Sequence, residues 1–119
     1  MAKHLNFTKG RHGENMARQY LENLGYQFIQ SNFHTRYGEI DLIMQNKNIL
    51  VFIEVKYKSE NSPGTPEEMI TSRKIYQVQQ TALAFLHQNP RLATLYPSHR
   101  LDAVCIVGDT IKHYQNINL

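Results

Sequence analysis

Residues 38–58 read GEIDLIMQNKNILVFIEVKYK, a largely apolar stretch that nonetheless carries Glu39, Asp41, Glu54 and Lys56. On either side of the polar QNKN break its composition is that of two strands. Side chains alternate across a strand, so Glu39 and Asp41 share one face while Ile40, Leu42 and Met44 share the other. Glu54 and Lys56 likewise share a face, opposite Ile53 and Val55. A two-residue turn at Asn46-Lys47 pairs Gln45 with Asn48 and sets Glu39 against Glu54, so that all four ionic side chains project to one side. Two carboxylates about 5 Å apart repel by roughly 3 kcal/mol at an effective dielectric of about 20. A favourable cross-strand pair contributes only about 0.2–1 kcal/mol. Positive charge must therefore sit among the acids. Lys56 is one candidate, and a divalent cation held by Asp41 and Glu54 is another. Mg²⁺ takes one or two carboxylates and leaves its other positions to water and phosphate oxygens, so the chemistry in view is that of phosphate esters. The competing reading is a structural salt-bridge patch on a solvated sheet face.

Other elements must position these residues. Ala17, Tyr20, Leu21 and Leu24 recur at helical spacing and predict a helix from about Thr8 to Leu24, stopped by Gly25. YQFIQ alternates as a half-buried strand does. After the hairpin comes a polar loop, SENSPGTP, in which Thr65, Pro66 and Glu68 fit a capping box with proline at the first helical position. The helical region it opens runs to about Gln88 with Ile70, Val78, Ala82, Phe85 and Leu86 as its buried stripe, and Thr71-Ser72 is a point where it divides. Pro90 and Pro97 bracket a surface connection. HRLDAVCIV is a buried strand, Gly108-Asp109 a tight turn and TIKHYQNI an edge strand. The order αβββαββ predicts an α/β sandwich with a mixed sheet.

The chain has 119 residues, one domain's worth, with 41% hydrophobic and 19% charged residues, which argues against disorder. Its longest apolar run, Ile49 to Ile53, is far too short to span a bilayer, so no membrane association is expected. MAKHLNFTKGRHGE lacks an apolar signal region, and secretion is not expected. The one cysteine, Cys105, cannot form an internal disulfide and reads as a small apolar strand residue, in keeping with a reducing cytoplasm. The net charge of +3 permits a polyanionic partner without requiring one. The six histidines show no paired metal spacing, which argues against zinc.

Asp41, then twelve residues, then Glu54-Val55-Lys56 resembles the D…ExK core of the PD-(D/E)xK nuclease signature. With GRHGENMARQYLENLGY, GEIDLI, VFIEVKYK, the GTPEE loop and RLDAV, nearly the whole chain resembles the YraN-like family. That family is considered similar to restriction-endonuclease-like and Holliday-junction-resolvase-like proteins. The resemblance implies a three-layer sandwich, a mixed central sheet flanked by helices. It implies a nuclease hydrolysing phosphodiester bonds in DNA, structured or branched, with Mg²⁺ or Mn²⁺ as cofactor. Asp41 and Glu54 would be metal ligands and Lys56 would orient the attacking water and offset charge on the phosphate. Glu14 matches the helical acid that resolvase-like members add to the metal site; its other reading is an i,i+4 pair with Arg18. Junction enzymes are usually dimers, so a homodimer is the implied assembly. His34 and Lys58 depart from the family, where arginine is frequent, and Lys58 keeps the charge without the bidentate fork.

Further cations fit nucleic-acid contacts. Arg73 and Lys74 open the second long helix and could reach a phosphate across the groove, or be merely solvated. Lys58 follows the motif lysine. Lys3, Lys9 and Arg11 form a basic N-terminal arm, flexible over residues 1–8, that could add sequence-independent phosphate affinity. Arg100 and Asp102 read equally as an ion pair and as ligands, and Tyr37 and Tyr57 read as rim packing rather than as base-stacking platforms. Two rival functions are a nuclease-like fold that binds nucleic acid without hydrolysis and a protein-interaction domain whose acids only pair with Lys56.

Overall fold

The computed structural model describes residues 2–117, with side chains from residue 11 onward. Helix α1 (Ala2–Asn23) precedes three strands, β1 (Gln27–Thr35), β2 (Gly38–Asn46) and β3 (Ile49–Lys58). A 3-10 turn at Pro66–Met69 leads into α2 (Ser72–Gln88) and the short α3 (Pro90–Leu95), and β4 (Ser98–Val107) and β5 (Thr110–Tyr114) complete the chain. The five strands form one sheet in the order β1-β2-β3-β4-β5. Only β3 and β4 pair in parallel, and α2 supplies the crossover that a parallel pair requires.

The apolar alternation of the strands divides between two cores. Leu42, Met44, Val51, Ile53, Val104 and Ile106 pack with Ala17 and Leu21 of α1 on one side of the sheet. Ile43, Leu50, Phe52 and Leu101 pack with Val78, Ala82 and Phe85 of α2 on the other. Each fully buried large side chain contributes about 1.5–3 kcal/mol, so both faces of the central strands are firmly covered. Among the described residues no helix is long and apolar enough to cross a membrane.

Local chemistry explains where the elements stop. Gly25 takes φ 95°. Its N–H donates to the Glu22 carbonyl and that of Tyr26 to the Leu21 carbonyl, closing α1 in a Schellman motif. The helix ends at Asn23, one residue short of the expected Leu24, which is 54% exposed. The capping box expected at Thr65 does not form: Pro66–Met69 is a single 3-10 turn whose cap makes no side-chain bond. Thr71 is the working cap, its hydroxyl accepting from the Lys74 N–H at 3.1 Å, so the helix divides at Thr71-Ser72. The Pro90–Pro97 connection contains α3, with Pro90 at its first position, where a missing N–H is tolerated.

The β2–β3 turn also differs from expectation. Lys47 and Asn48 both take positive φ, 50° and 67°, the pattern of a type I′ turn. Asn46 therefore pairs with Ile49 and Gln45 with Leu50. The register lies two residues from the one expected and Glu39 does not face Glu54. Parity is preserved, and asparagine's tolerance of left-handed backbone at Asn48 is the physical reason for the shift.

Candidate metal and phosphate site

The β2–β3 ladder runs from Asn46–Ile49 to Leu42–Ile53 and ends there. Beyond that point β2 stays with β1 as far as Gly38–Thr35, and β3 stays with β4 as far as Lys58–Val107. The two central strands thus part, and the residues next in line at the fork are Asp41 and Glu54. The Val55 N–H donates to Asp41 Oδ2 at 2.7 Å in place of a strand carbonyl. On β1, Asn32 takes φ 54° between the pairs Ser31–Leu42 and Phe33–Ile40. The pleat slips here. Ile40 packs in the α2 core while Leu42 and Met44 pack in the α1 core, so the expected common face for these three is interrupted at Asp41.

Helix α1 brings Glu14 to the fork because of the residue before it. A Cβ on Gly13 would lie 2.8 Å from the Tyr57 Cβ, a separation real side chains do not tolerate, so only glycine lets the helix pass this close to β3. Glu14 Oε2 then accepts from Asn32 Nδ2 at 3.2 Å. Oxygens of Glu14, Glu39 and Asp41 all lie within 4.8 Å of one another. Glu39, which is not among the metal ligands expected from the sequence, is a full member of this triple. Arg18 does not compete for Glu14: its Nε lies 3.4 Å from Glu22 and its guanidinium 3.6 Å from the centroid of the Phe28 ring.

The acids crowd one another. Burial is the largest influence raising the Glu14 carboxyl; the Asn32 hydrogen bond opposes it, and the charge of Glu39 adds to it. Asp41 is pushed up to about 8, first by burial and then by the charge of Glu54, with the Val55 N–H pulling the other way. Both carboxyls therefore favour the protonated form more than an ordinary carboxylate does.

Glu54 is the other half of the site. Its side chain is 4% exposed, and Oε1 lies 3.2 Å from Lys56 Nζ and 3.5 Å from Lys74 Nζ. Oε2 is buried and has no hydrogen-bond partner. A buried acceptor left in that state costs about 1–3 kcal/mol, more when charged, and calls for a missing partner. Glu14 reaches the site from the α1 layer and Lys74 from the α2 layer, an access that an unbroken sheet would block.

The sequence-predicted residues sort as follows in space. Asp41, Glu54, Lys56 and Glu14 converge on the fork. Lys74 is engaged by Glu54 instead of standing across a groove, while Arg73 is exposed beside it on the first turn of α2. Lys58 Nζ donates to the Pro63 carbonyl at 3.0 Å and tethers the loop before the 3-10 turn. Arg11 is exposed, and its charge acts on Glu14. Lys3 and Lys9 fall where side chains lie outside the described residues. Sequence reasoning missed Asn32 and the role of Gly13; an asparagine inside an alternating strand and a glycine inside a helix were the available signals.

Asp102 takes no part. It is fully buried on β4, where it receives Arg100 Nε at 2.9 Å, His113 Nε2 at 2.8 Å and the Asn116 N–H at 3.0 Å. The ion-pair reading of Arg100 and Asp102 is the one the structure bears out.

The model of the uncharacterised protein family UPF0102 matches residues 13–106, a span that contains the whole fork. A UPF0102 protein of Syntrophomonas wolfei is 40% identical over 91% of each chain. One from Cytophaga hutchinsonii is 38% identical over 93% of this chain and 96% of its own. One from Aliivibrio salmonicida is 42% identical over 82% of this chain and 79% of its own. With a family match of that extent and relatives that similar, the chain belongs to the UPF0102 (YraN) family.

Proposed function

We infer that this protein is a metal-dependent nuclease of restriction-endonuclease-like architecture, hydrolysing phosphodiester bonds in DNA, with structured or branched DNA as its substrate. The observation that carries the reading is the buried, partnerless Oε2 of Glu54, a residue outside the Glu14–Glu39–Asp41 triple whose charge nonetheless acts on Asp41 and Glu14. An acid cluster alone is common on protein surfaces. A carboxylate oxygen sealed from water with nothing to bond is not.

The donor set fits a hard ion. Glu14, Glu39 and Asp41 offer only carboxylate oxygens, as does Glu54, and neither thiolate nor imidazole belongs to the group. That is the ligand type of Mg²⁺ and Mn²⁺ rather than of zinc. Asp41, Glu54 and Glu14 would hold the cation, with Glu39 beside them. Bound there, it would supply Lewis-acid polarisation of the phosphate and acidify a coordinated water.

The chain's own groups do the rest. Asp41 would face a bound cation as a carboxylate, the ion's charge offsetting the burial and the neighbouring acids that raise its carboxyl. Lys56, 3.2 Å from Glu54 and 22% exposed, is placed to orient the attacking water and to offset negative charge building on the phosphate. The water oxygen bonds to phosphorus as the phosphorus–oxygen bond to the leaving nucleotide breaks. The attacking water loses its proton to solvent, and the leaving oxygen takes one from solvent.

Cleavage of junction, flap, single-stranded and duplex DNA with and without Mn²⁺ tests the reading. The wild type should cut at least one of these only with metal. Asp41→Asn should abolish cutting, by about 10³-fold or more, with the fold intact. Undiminished cleavage by that variant overturns the assignment. DNA binding without cleavage by the wild type would instead identify a non-hydrolytic nucleic-acid module.

A further inference from the structure

Two ammonium groups share one oxygen of Glu54 while its other oxygen has none. Lys56 comes from the same strand, two residues on, and alternation keeps it on that face of β3. Lys74 comes from a different layer. Its backbone is fixed by the Thr71 cap, and its side chain, 27% exposed, crosses to a carboxylate that is 4% exposed. A lysine kept only for solubility has no reason to place its charge against a buried acid. Nor does Glu54 need a second cation for neutrality, since Lys56 already balances it.

The geometry points to Lys74 as a resident counter-ion of Glu54 that gives way to the divalent cation and is handed to the substrate phosphate as a second positive contact beside Lys56. The exchange follows from charge. A divalent ion on Oε2 and two ammoniums on Oε1 would place four positive charges around one carboxylate, and the least constrained of them must leave. Lys74 is that one, on a flexible four-carbon stem with access to solvent. The anion whose arrival coincides with its release is the phosphate. Metal and DNA binding should therefore reinforce each other, because each takes one partner of the ion pair that holds the empty site together.

The phosphate half of this inference rests on the nuclease reading; the counter-ion half does not. Mn²⁺ titration followed by electron paramagnetic resonance, without DNA, is compared for wild type, Lys74→Met and Lys74→Arg. Single-turnover cleavage of junction DNA follows in saturating Mn²⁺. Lys74→Met should bind Mn²⁺ about tenfold more tightly, having lost a competing charge a few ångströms from the ligand. It should also cut about a hundredfold more slowly. Lys74→Arg, which keeps the charge, should bind Mn²⁺ as the wild type does and recover most of the rate. Mn²⁺ affinity in Lys74→Met equal to or weaker than wild type overturns the exchange. Tighter Mn²⁺ binding with an unchanged rate overturns the transfer to phosphate. A wild type that cuts no DNA overturns the nuclease reading, and the titration still decides the exchange.

Discussion

Two buried acid sites occupy the same sheet and are treated in opposite ways. Asp102 on β4 is surrounded by donors. Arg100, His113 and the Asn116 N–H all point at it, and Arg100 in turn donates to the Tyr26 hydroxyl at 2.6 Å. Burial alone would raise its carboxyl, but those bonds outweigh burial and hold it below the ordinary carboxylate range. At the fork, on the adjoining strands β2 and β3, Asp41 receives one backbone N–H and is otherwise faced by other acids, and Glu54 has an oxygen with no partner. The first arrangement is what a folded chain does to make a buried charge harmless. The second is left incomplete in a molecule that demonstrably can complete such a site. The contrast teaches that an unfinished site points to a ligand only when finishing it was within the chain's means.

If the contrast is physical, removing each acid should have opposite consequences. Asp102→Ala strands a guanidinium, an imidazole and a backbone donor in the interior and should cost about 3–5 kcal/mol of unfolding free energy. Asp41→Asn in metal-free protein should cost less than about 1 kcal/mol, since an amide has the acid's shape, brings no charge to bury and can still accept the Val55 N–H. Urea unfolding of the two variants measures both. Similar losses would mean that the fork is as structural as the β4 network.

The pH dependence of stability carries the same contrast with its sign. Asp41 binds its proton more tightly folded, at about 8, than unfolded, near its ordinary value of 3.8. Between those limits the folded state holds more protons than the unfolded one, so metal-free stability should fall as pH rises. Glu14, also raised, adds in the same direction. Asp102 is lowered, so its contribution is present above the ordinary carboxylate range and is lost only as pH falls through its depressed value. Urea midpoints from pH 5 to 8 should decline in wild type and flatten in Asp41→Asn. Mn²⁺ should reverse the decline and release close to one proton per ion at pH 7, read as a dependence of binding enthalpy on buffer. A midpoint that climbs with pH in metal-free wild type would remove the claim that burial and the neighbouring acids raise the Asp41 carboxyl.

Much of this was legible in the chain and part was not, for reasons that can be named. Alternation identified β2 and β3 and put Asp41, Glu54 and Lys56 together, because a period of two survives any even shift of register. The helix stop at Gly25 and the division at Thr71-Ser72 follow from local chemistry and needed no tertiary knowledge, whereas the cap expected at Thr65 forms at Thr71. The turn was misplaced because Asn46-Lys47 and Lys47-Asn48 are equally polar, and only the backbone reveals which pair takes positive φ. The parting of β2 from β3 has no residue that announces it. It arises because each strand keeps its outer neighbour, a competition among long-range pairings. For the same reason Ile40 was assigned to the wrong face and Glu39 was undervalued. Lys74 could be seen as a cation, but its partner lies on another layer.

Gly13 offers the finest test of how the two sites differ, because nothing comparable supports Asp102. A methyl group there would meet the Tyr57 Cβ at 2.8 Å, and neither atom is the free end of a flexible chain. Gly13→Ala gains up to about 1 kcal/mol of helix propensity. It loses about 1–3 kcal/mol to overpacking, so the net change in stability should be small. The displacement falls on the next residue. Glu14 should be carried away from Asn32 and from the carboxylates of Glu39 and Asp41, and Mn²⁺ affinity should drop by about fivefold, the loss expected when one oxygen ligand of several is weakened. Tyr57→Gly on the Gly13→Ala background removes the Cβ that the methyl would meet and should restore the affinity, whereas Asp102 and its partners should not respond to either change. An unaltered Mn²⁺ affinity in Gly13→Ala would show that Glu14 is not a ligand, and that the close passage of α1 over β3 serves packing alone.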